Sequence, residues 1–167
     1  MGINRRAQVA MTADEAGEFL ARSRTATLAT VGLGGQPHLV AMWYAVLDGD
    51  LWFETKAKSQ KAVNLRRDPR VSVLVEAGRT YDSLRGVEIE GSAELTDEAQ
   101  AVLRLGIAMW ERYVGPYTDD QRPGVDAMMD KRVCVRVRAA RTRTWDHRKL
   151  GLPAIPVGGS TAEFDEG

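Results

Sequence analysis

The hydrophobic positions of this chain follow two periods, and the changes from one to the other outline the fold. The first element opens at Thr12, with Glu15 three places on. That is the capping-box spacing, in which each side chain bonds a free amide of the helix start. Ala16, Phe19 and Leu20 give the predicted helix one apolar side. After Arg24 the period shortens to two. "TATLATVG" and "HLVAMWYAVLDGD" are separated by the turn-forming "LGGQP", and "LWFETK" is the return arm of a hairpin closed at Asp48-Gly49-Asp50. A short helix is expected from Ser59 to about Arg67. It stops at Asp68-Pro69, because the residue before a proline is pushed out of the helical region.

The next two strands are half-buried. "RVSVLVEAG" puts Val71, Val73 and Val75 on one face, and "LRGVEIEGSAELTD" alternates Val87 and Ile89 with Glu88 and Glu90. From Asp97 to Tyr113 the helical period returns, with Val102, Leu105, Met109 and Tyr113 on one side and Gln100 placed to support a cap at Asp97. A further helical piece is expected near Val125 to Met129, and "RVCVRVRAARTRTW" reads as a long last strand. The class is mainly β with flanking helices. Six mostly antiparallel strands without β-α-β alternation point to a closed or nearly closed barrel, which removes sheet edges. At 167 residues the chain suits one domain, placed at residues 1–150, and "GLPAIPVGGSTAEFDEG", residues 151–167, reads as a loose tail.

Charge and composition narrow the function classes. The 23 basic and 23 acidic residues cancel, which argues against a nucleic-acid partner and leaves any bound anion small and local. One cysteine, Cys134, excludes an internal disulfide. No apolar run reaches the roughly 18 residues of a membrane span, and no leader pattern is present, so a cytoplasmic protein is expected. His38 and His147 lie in no metal-ligand spacing, so no metal is expected. "GLGGQP" lacks the Gly-Lys-Ser/Thr ending of a phosphate loop, and no G-x-S-x-G elbow occurs. No catalytic side chain is assigned: if the protein is an enzyme, a bound cofactor carries the reaction.

The stretch "ETKAKSQKAVNLRRDPR" holds the most pointed local feature. Lys56, Lys58 and Lys61 crowd a helix start, where the macrodipole disfavours each cation by roughly 0.3–1 kcal/mol. Only five of the 23 basic residues are lysines, and three are here. Ser59 suits the N-cap, and the remaining amides of Gln60, Lys61 and Ala62 face whatever lies beyond the helix. Two readings stand: a solvated cluster whose cost is screened by salt, or a phosphate site made by dipole, amides and ammonium groups.

"TATLATVGLGGQPHLVAMWYAV", "LWFETKAKSQKAVNLRRDPRVSVLVEAG", "LRGVEIEGSAEL" and "TWDHRKL" together resemble the pyridoxamine 5'-phosphate oxidase-like superfamily, over Thr12 to Leu150. Within it they look most like the branch that uses the deazaflavin F420. The resemblance implies the FMN-binding type of split β-barrel, with the cofactor phosphate at Ser59, Gln60 and Lys61 and with Asn64 one turn on. It also implies a ring along His38, Leu39, Val40, Ala41, Met42 and Trp43, and Thr55 near the ribityl or phosphate region. A homodimer is implied too, with two cofactor sites at the subunit boundary and a contribution from the partner's Trp145 segment. Lys56 and Lys58 beside Lys61 supply more charge than one phosphate needs, which suits the glutamate tail of F420.

The expected function is hydride transfer from reduced F420 to a small conjugated substrate, biliverdin-like tetrapyrroles being one class seen among similar proteins. Two alternatives stand beside it. One is an FMN-binding flavin reductase or pyridoxamine phosphate oxidase, a reading that "TWDHRKLGLP" departs from. The other is a carrier of F420, FMN or haem that performs no turnover.

Overall fold

The capping box at Thr12 is complete in the computed structural model, which describes residues 5–156: the Thr12 amide donates to Glu15 Oε2 at 2.7 Å and the Glu15 amide to Thr12 Oγ1 at 3.2 Å. It starts α2 (Ala13–Arg22), and a short α1 (Arg5–Val9), which the periodicity does not reveal, precedes it. The strands are β1 (Ala26–Val31), β2 (Pro37–Met42), β3 (Ala45–Leu47), β4 (Asp50–Lys56), β5 (Arg70–Ala77), β6 (Arg85–Thr96) and β7 (Arg132–Asp146). Among them stand α3 (Gln60–Arg67), α4 (Ala99–Tyr113) and α5 (Arg122–Met129). Helix α4 starts two residues later than Asp97 suggests, with Glu98 at the N-cap and no side-chain cap bond. Residues 151–156 lie in no regular element, and the rest of the expected tail falls outside the described residues.

Seven strands form one sheet in the order β2-β1-β5-β6-β7-β4-β3. The count exceeds the expected six because the run "HLVAMWYAVL" breaks at Trp43-Tyr44. Its first half pairs antiparallel with β1, from Ala26 opposite Met42 to Val31 opposite Pro37, and its second half pairs antiparallel with β4, Ala45 opposite Trp52. One straight strand cannot bond to both ends of a sheet, so the chain changes direction there. The consequence is topological. β2 and β3 occupy the two ends of the order, yet the three steps from Met42 to Ala45 span at most about 10 Å. The antiparallel sheet therefore curls until its ends meet, the arrangement of a split barrel.

The β3–β4 hairpin closes through Asp48 and Gly49, whose φ values of 54° and 80° suit the two-residue turns that match strand twist. Backbone contacts divide the chain into two units, one of residues 24–74 and 88–142, the other of described residues 5–23, 75–87 and 143–156. In the first, Leu28, Phe53, Val71 and Val73 are buried on the strands. A second cluster sets Ala45, Trp52 and Cys134 against Leu105, Met109, Val125 and Met129 from α4 and α5. Gly106 permits this approach, since a Cβ there would lie 2.7 Å from Val125 Cγ1. In the second unit the Trp145 ring packs on Gly86, where a Cβ would lie 2.4 Å from the ring.

Candidate functional site

Helix α3 is anchored at both ends by side chains that the sequence places at helical spacing. Ser59 is the N-cap, its Oγ accepting from the Ala62 amide at 3.3 Å and lying 3.0 Å from Thr55 Oγ1 at the end of β4. The Ala62 amide is thereby spoken for, a correction to the expectation that it would face outward. The amides of Gln60 and Lys61 find no acceptor among the described residues. Asn64 is fully buried; its Nδ2 donates to Thr30 Oγ1 on β1 at 3.0 Å, and its Oδ1 accepts from Gln60 Nε2 at 2.8 Å. Arg66 donates to the Ala57 carbonyl at 2.6 Å, and Arg67 donates to the Val31 carbonyl. These bonds fix the start of the helix relative to β1 and β4.

In front of that start lies a cavity of about 430 Å³, lined by Ala41, Met42 and Trp43 on one side and Thr55, Lys56, Ser59 and Lys61 on the other. Glu54 and Arg132 complete it. Among the sequence candidates, His38, Leu39, Val40, Lys58, Gln60, Asn64 and Trp145 are outside this lining. His38 is half-buried on β2 opposite Thr30, and its Nδ1 is buried without a partner among the described residues. Leu39 is exposed, Val40 half-buried, and Asn64 acts through Gln60 and Thr30 rather than on the cavity surface. Trp145 belongs to the other unit.

Charge in the cavity is unequally matched. Lys131 pairs with Asp130 and Lys149 with Glu15, whereas Lys56, Lys58 and Lys61 have no carboxylate partner among the described residues. No acidic residue occupies the first turn of α3. The carboxylate of Glu54 is held by Arg132 diagonally across the β4–β7 ladder, where Glu54 stands opposite Cys134 and Arg132 opposite Lys56. Sequence reasoning missed both. The pairing of β4 with β7 is a long-range fact that no local pattern carries, and "KR" at the start of the last strand was the only signal available.

At the mouth, the Trp43 ring stacks on that of Tyr113, with centroids 4.3 Å apart and planes at 3°. Tyr113 Oη accepts from the Tyr44 amide at 3.0 Å and lies 2.8 Å from the Arg24 carbonyl oxygen. Trp43 remains 53% exposed, so its other face is open. Cys134 takes no part: it is fully enclosed, and burial pushes its thiol up to about 11.

A family model described as pyridoxamine 5'-phosphate oxidase matches residues 12–146. The chain belongs to the pyridoxamine 5'-phosphate oxidase family. Comparison with curated protein sequences gave no match. Among solved structures, this family member is similar to the conserved hypothetical protein Rv2991 from Mycobacterium tuberculosis, at 65% identity and TM-score 0.91, over 93% of this chain and 98% of that one. An F420 reductase is 28% identical with TM-score 0.59, over 75% of this chain and 93% of that one. An FAD-binding protein from Mesorhizobium loti shares the fold at 24% identity and TM-score 0.60, over 80% and 92% of the two chains. The pyridoxamine 5'-phosphate oxidase-like family contains oxidoreductases. The donor set here fits a phosphate-bearing cofactor: two hydroxyls, the Gln60 and Lys61 amides, and ammonium groups without a carboxylate partner among the described residues. No helix among the described residues is long and apolar enough to cross a membrane.

Proposed function

We propose that this protein is an F420-dependent oxidoreductase that reduces a small conjugated organic substrate. The observation that carries this reading is the set of three lysines without carboxylate partners among the described residues at the start of α3, two of which, Lys56 and Lys61, line a cavity shared with Ala41, Met42 and Trp43. An uncompensated cationic cluster at a positive helix end is unfavourable in the free protein and favourable once a ligand anion enters. The deazaflavin branch is favoured over FMN because the positive charge extends beyond what one phosphate requires, and because the F420 reductase is a relative at 28% identity.

Bound reduced F420 would supply the hydride. The chain's own part is positioning. Ser59, Thr55, Gln60 and Lys61 would hold the phosphate, with Lys56 and Lys58 flanking the carboxylates beyond it. Ala41, Met42 and Trp43 would provide the wall on which the ring rests. Asn64 keeps the helix start in place, so the binding groups are oriented before the ligand arrives, which limits the entropy lost on binding. Glu54 and Arg132 pair with each other in the cavity lining, so this carboxylate does not neutralise the lysines.

The exposed apolar residues Leu33, Leu39, Trp43, Val46 and Val63 all lie in the unit of β1 to β4 and α3, and they support assembly as a homodimer with cofactor sites near the contact. A carrier role without turnover is the second reading, since carrier and catalyst would share the same phosphate site. Oxidation of reduced F420, followed by its returning fluorescence, separates them across a panel of quinones, enones and tetrapyrroles. Enzyme-dependent oxidation with at least one acceptor is expected; tight binding with no acceptor consumed would establish the carrier.

A further inference from the structure

A cavity of about 620 Å³ is lined wholly by residues of the smaller unit. Helix α2 forms one wall. Glu15, Glu18, Phe19 and Arg22, spaced along one helix face, border the space, and none of the helix's residues is buried. The opposite wall carries Ala77, Arg85, Asp146 and Arg148. The helix is tied back at its start: Lys149 reaches Glu15 at 2.6 Å and the Ala10 carbonyl at 2.8 Å, and the Met11 amide donates to Thr144 Oγ1 at 2.9 Å. It is thus held beside the cavity without filling it.

Each acid of the lining has its own cation. Glu15 pairs with Lys149, Glu18 with Arg22, and Asp146 with Arg148 in a two-pronged contact whose shorter arm is 2.6 Å. Arg85 is the fourth cation beside three acids: its side chain makes no ion pair or hydrogen bond among the described residues, its charge acts on Asp146 from beyond salt-bridge distance, and its Nε is buried without an acceptor. The guanidinium carbon lies 5.9 Å from the centre of the Phe19 ring, a cation–π contact that fixes the side chain while leaving its donors unused. Guanidinium presents a planar fork suited to a carboxylate. The neighbouring ring and Met11 supply an apolar surface for the rest of a ligand.

We propose that this cavity is a second ligand site, specific for a small aromatic or aliphatic monocarboxylate: the carboxylate pairs with Arg85 and the apolar body rests on Phe19. A cationic ligand finds no free acid there. Sodium benzoate is the probe, and benzamide is its uncharged counterpart. Calorimetric titration of the full chain should show benzoate binding at least ten-fold tighter than benzamide. Arg85→Gln should weaken benzoate at least ten-fold, Arg85→Lys should retain part of the affinity, and Lys61→Ala should leave it unchanged. The Arg85 Nε–Hε proton resonance, identified by its loss in Arg85→Lys, should shift on benzoate addition, a readout that needs no destabilising variant. Equal binding of benzamide, full affinity in Arg85→Gln, loss in Lys61→Ala, an unmoved Arg85 resonance, or absence of binding would each overturn the proposal. The Arg85 results do not bear on the cofactor reading, which the lysine site carries alone.

Discussion

Trp43 lies flat on Tyr113, and the hydroxyl of Tyr113 in turn accepts from the backbone amide of Tyr44, the next residue after Trp43. One side chain from the end of α4 thus fixes both residues at which β2 gives way to β3. Tyr113→Phe keeps the stacked ring but removes the hydroxyl that bonds the Tyr44 amide and the Arg24 carbonyl. We expect a loss of about 0.5–1.5 kcal/mol in urea unfolding, the net worth of a typical hydrogen bond. An unchanged midpoint would show that this bond adds nothing to the break between the two strands.

Asn64 gives a second test of the same kind. It is fully buried and bridges Thr30 and Gln60. Asn64→Leu should destabilise the protein by about 1–3 kcal/mol for each partner left unpaired. Cofactor affinity should fall in the folded variant as well, because Gln60 and the first turn of α3 lose their tether. Unfolding curves and a binding titration on the same sample separate the two effects.

Much of the fold was legible because its signals are local. Thr12 and Glu15 announced a capping box, Asp68-Pro69 ended α3, and Val71, Val73 and Val75 are buried together as their alternation required. The break at Trp43-Tyr44 was hidden, because all of "HLVAMWYAVL" has strand character. What divides it is pairing with β1 on one side and β4 on the other, about which local sequence is silent. The same holds for the site. The lysines could be read from their order along the chain, whereas Glu54 and Arg132 meet only through the β4–β7 ladder. Tyr113 fitted the apolar period of α4, and nothing in that period told of its hydroxyl's work.

Packing between α4 and α5 is tight enough to be probed by one methyl group. A Cβ at position 106 would lie 2.7 Å from Val125 Cγ1 and 2.8 Å from Met129 Cγ. Helix propensity favours alanine over glycine by roughly 1 kcal/mol. Overpacking opposes it by typically about 1–3 kcal/mol. Gly106→Ala should therefore be neutral to destabilising, by up to about 2 kcal/mol, in chemical unfolding. A clear stabilisation would mean that the two helices separate more easily than their packing implies.

Cys134 predicts a dependence on alkaline pH. Burial raises its thiol from the ordinary value near 9.0 to about 11, with the Glu54 charge adding to the effect. The folded state therefore keeps a proton that the unfolded chain gives up. That contribution to stability is complete below about pH 9 and is lost as pH rises through about 11. Wild type should lose stability over this window faster than Cys134→Ala, the difference between the two curves removing titrations common to both. In the native protein at pH 8, iodoacetamide should modify the thiol far more slowly than in urea.

The ammonium groups beside Ser59, which have no carboxylate partner among the described residues, must receive a ligand's negative charge if this protein binds F420. Fluorescence titration of the purified protein with F420 and with FMN, repeated in Lys61→Ala, is the most direct measurement. We predict tighter binding of F420 than of FMN, and a loss of at least ten-fold for F420 in the variant. F420 affinity that is untouched by Lys61→Ala would contradict the placement of the anion and, with it, the proposed function.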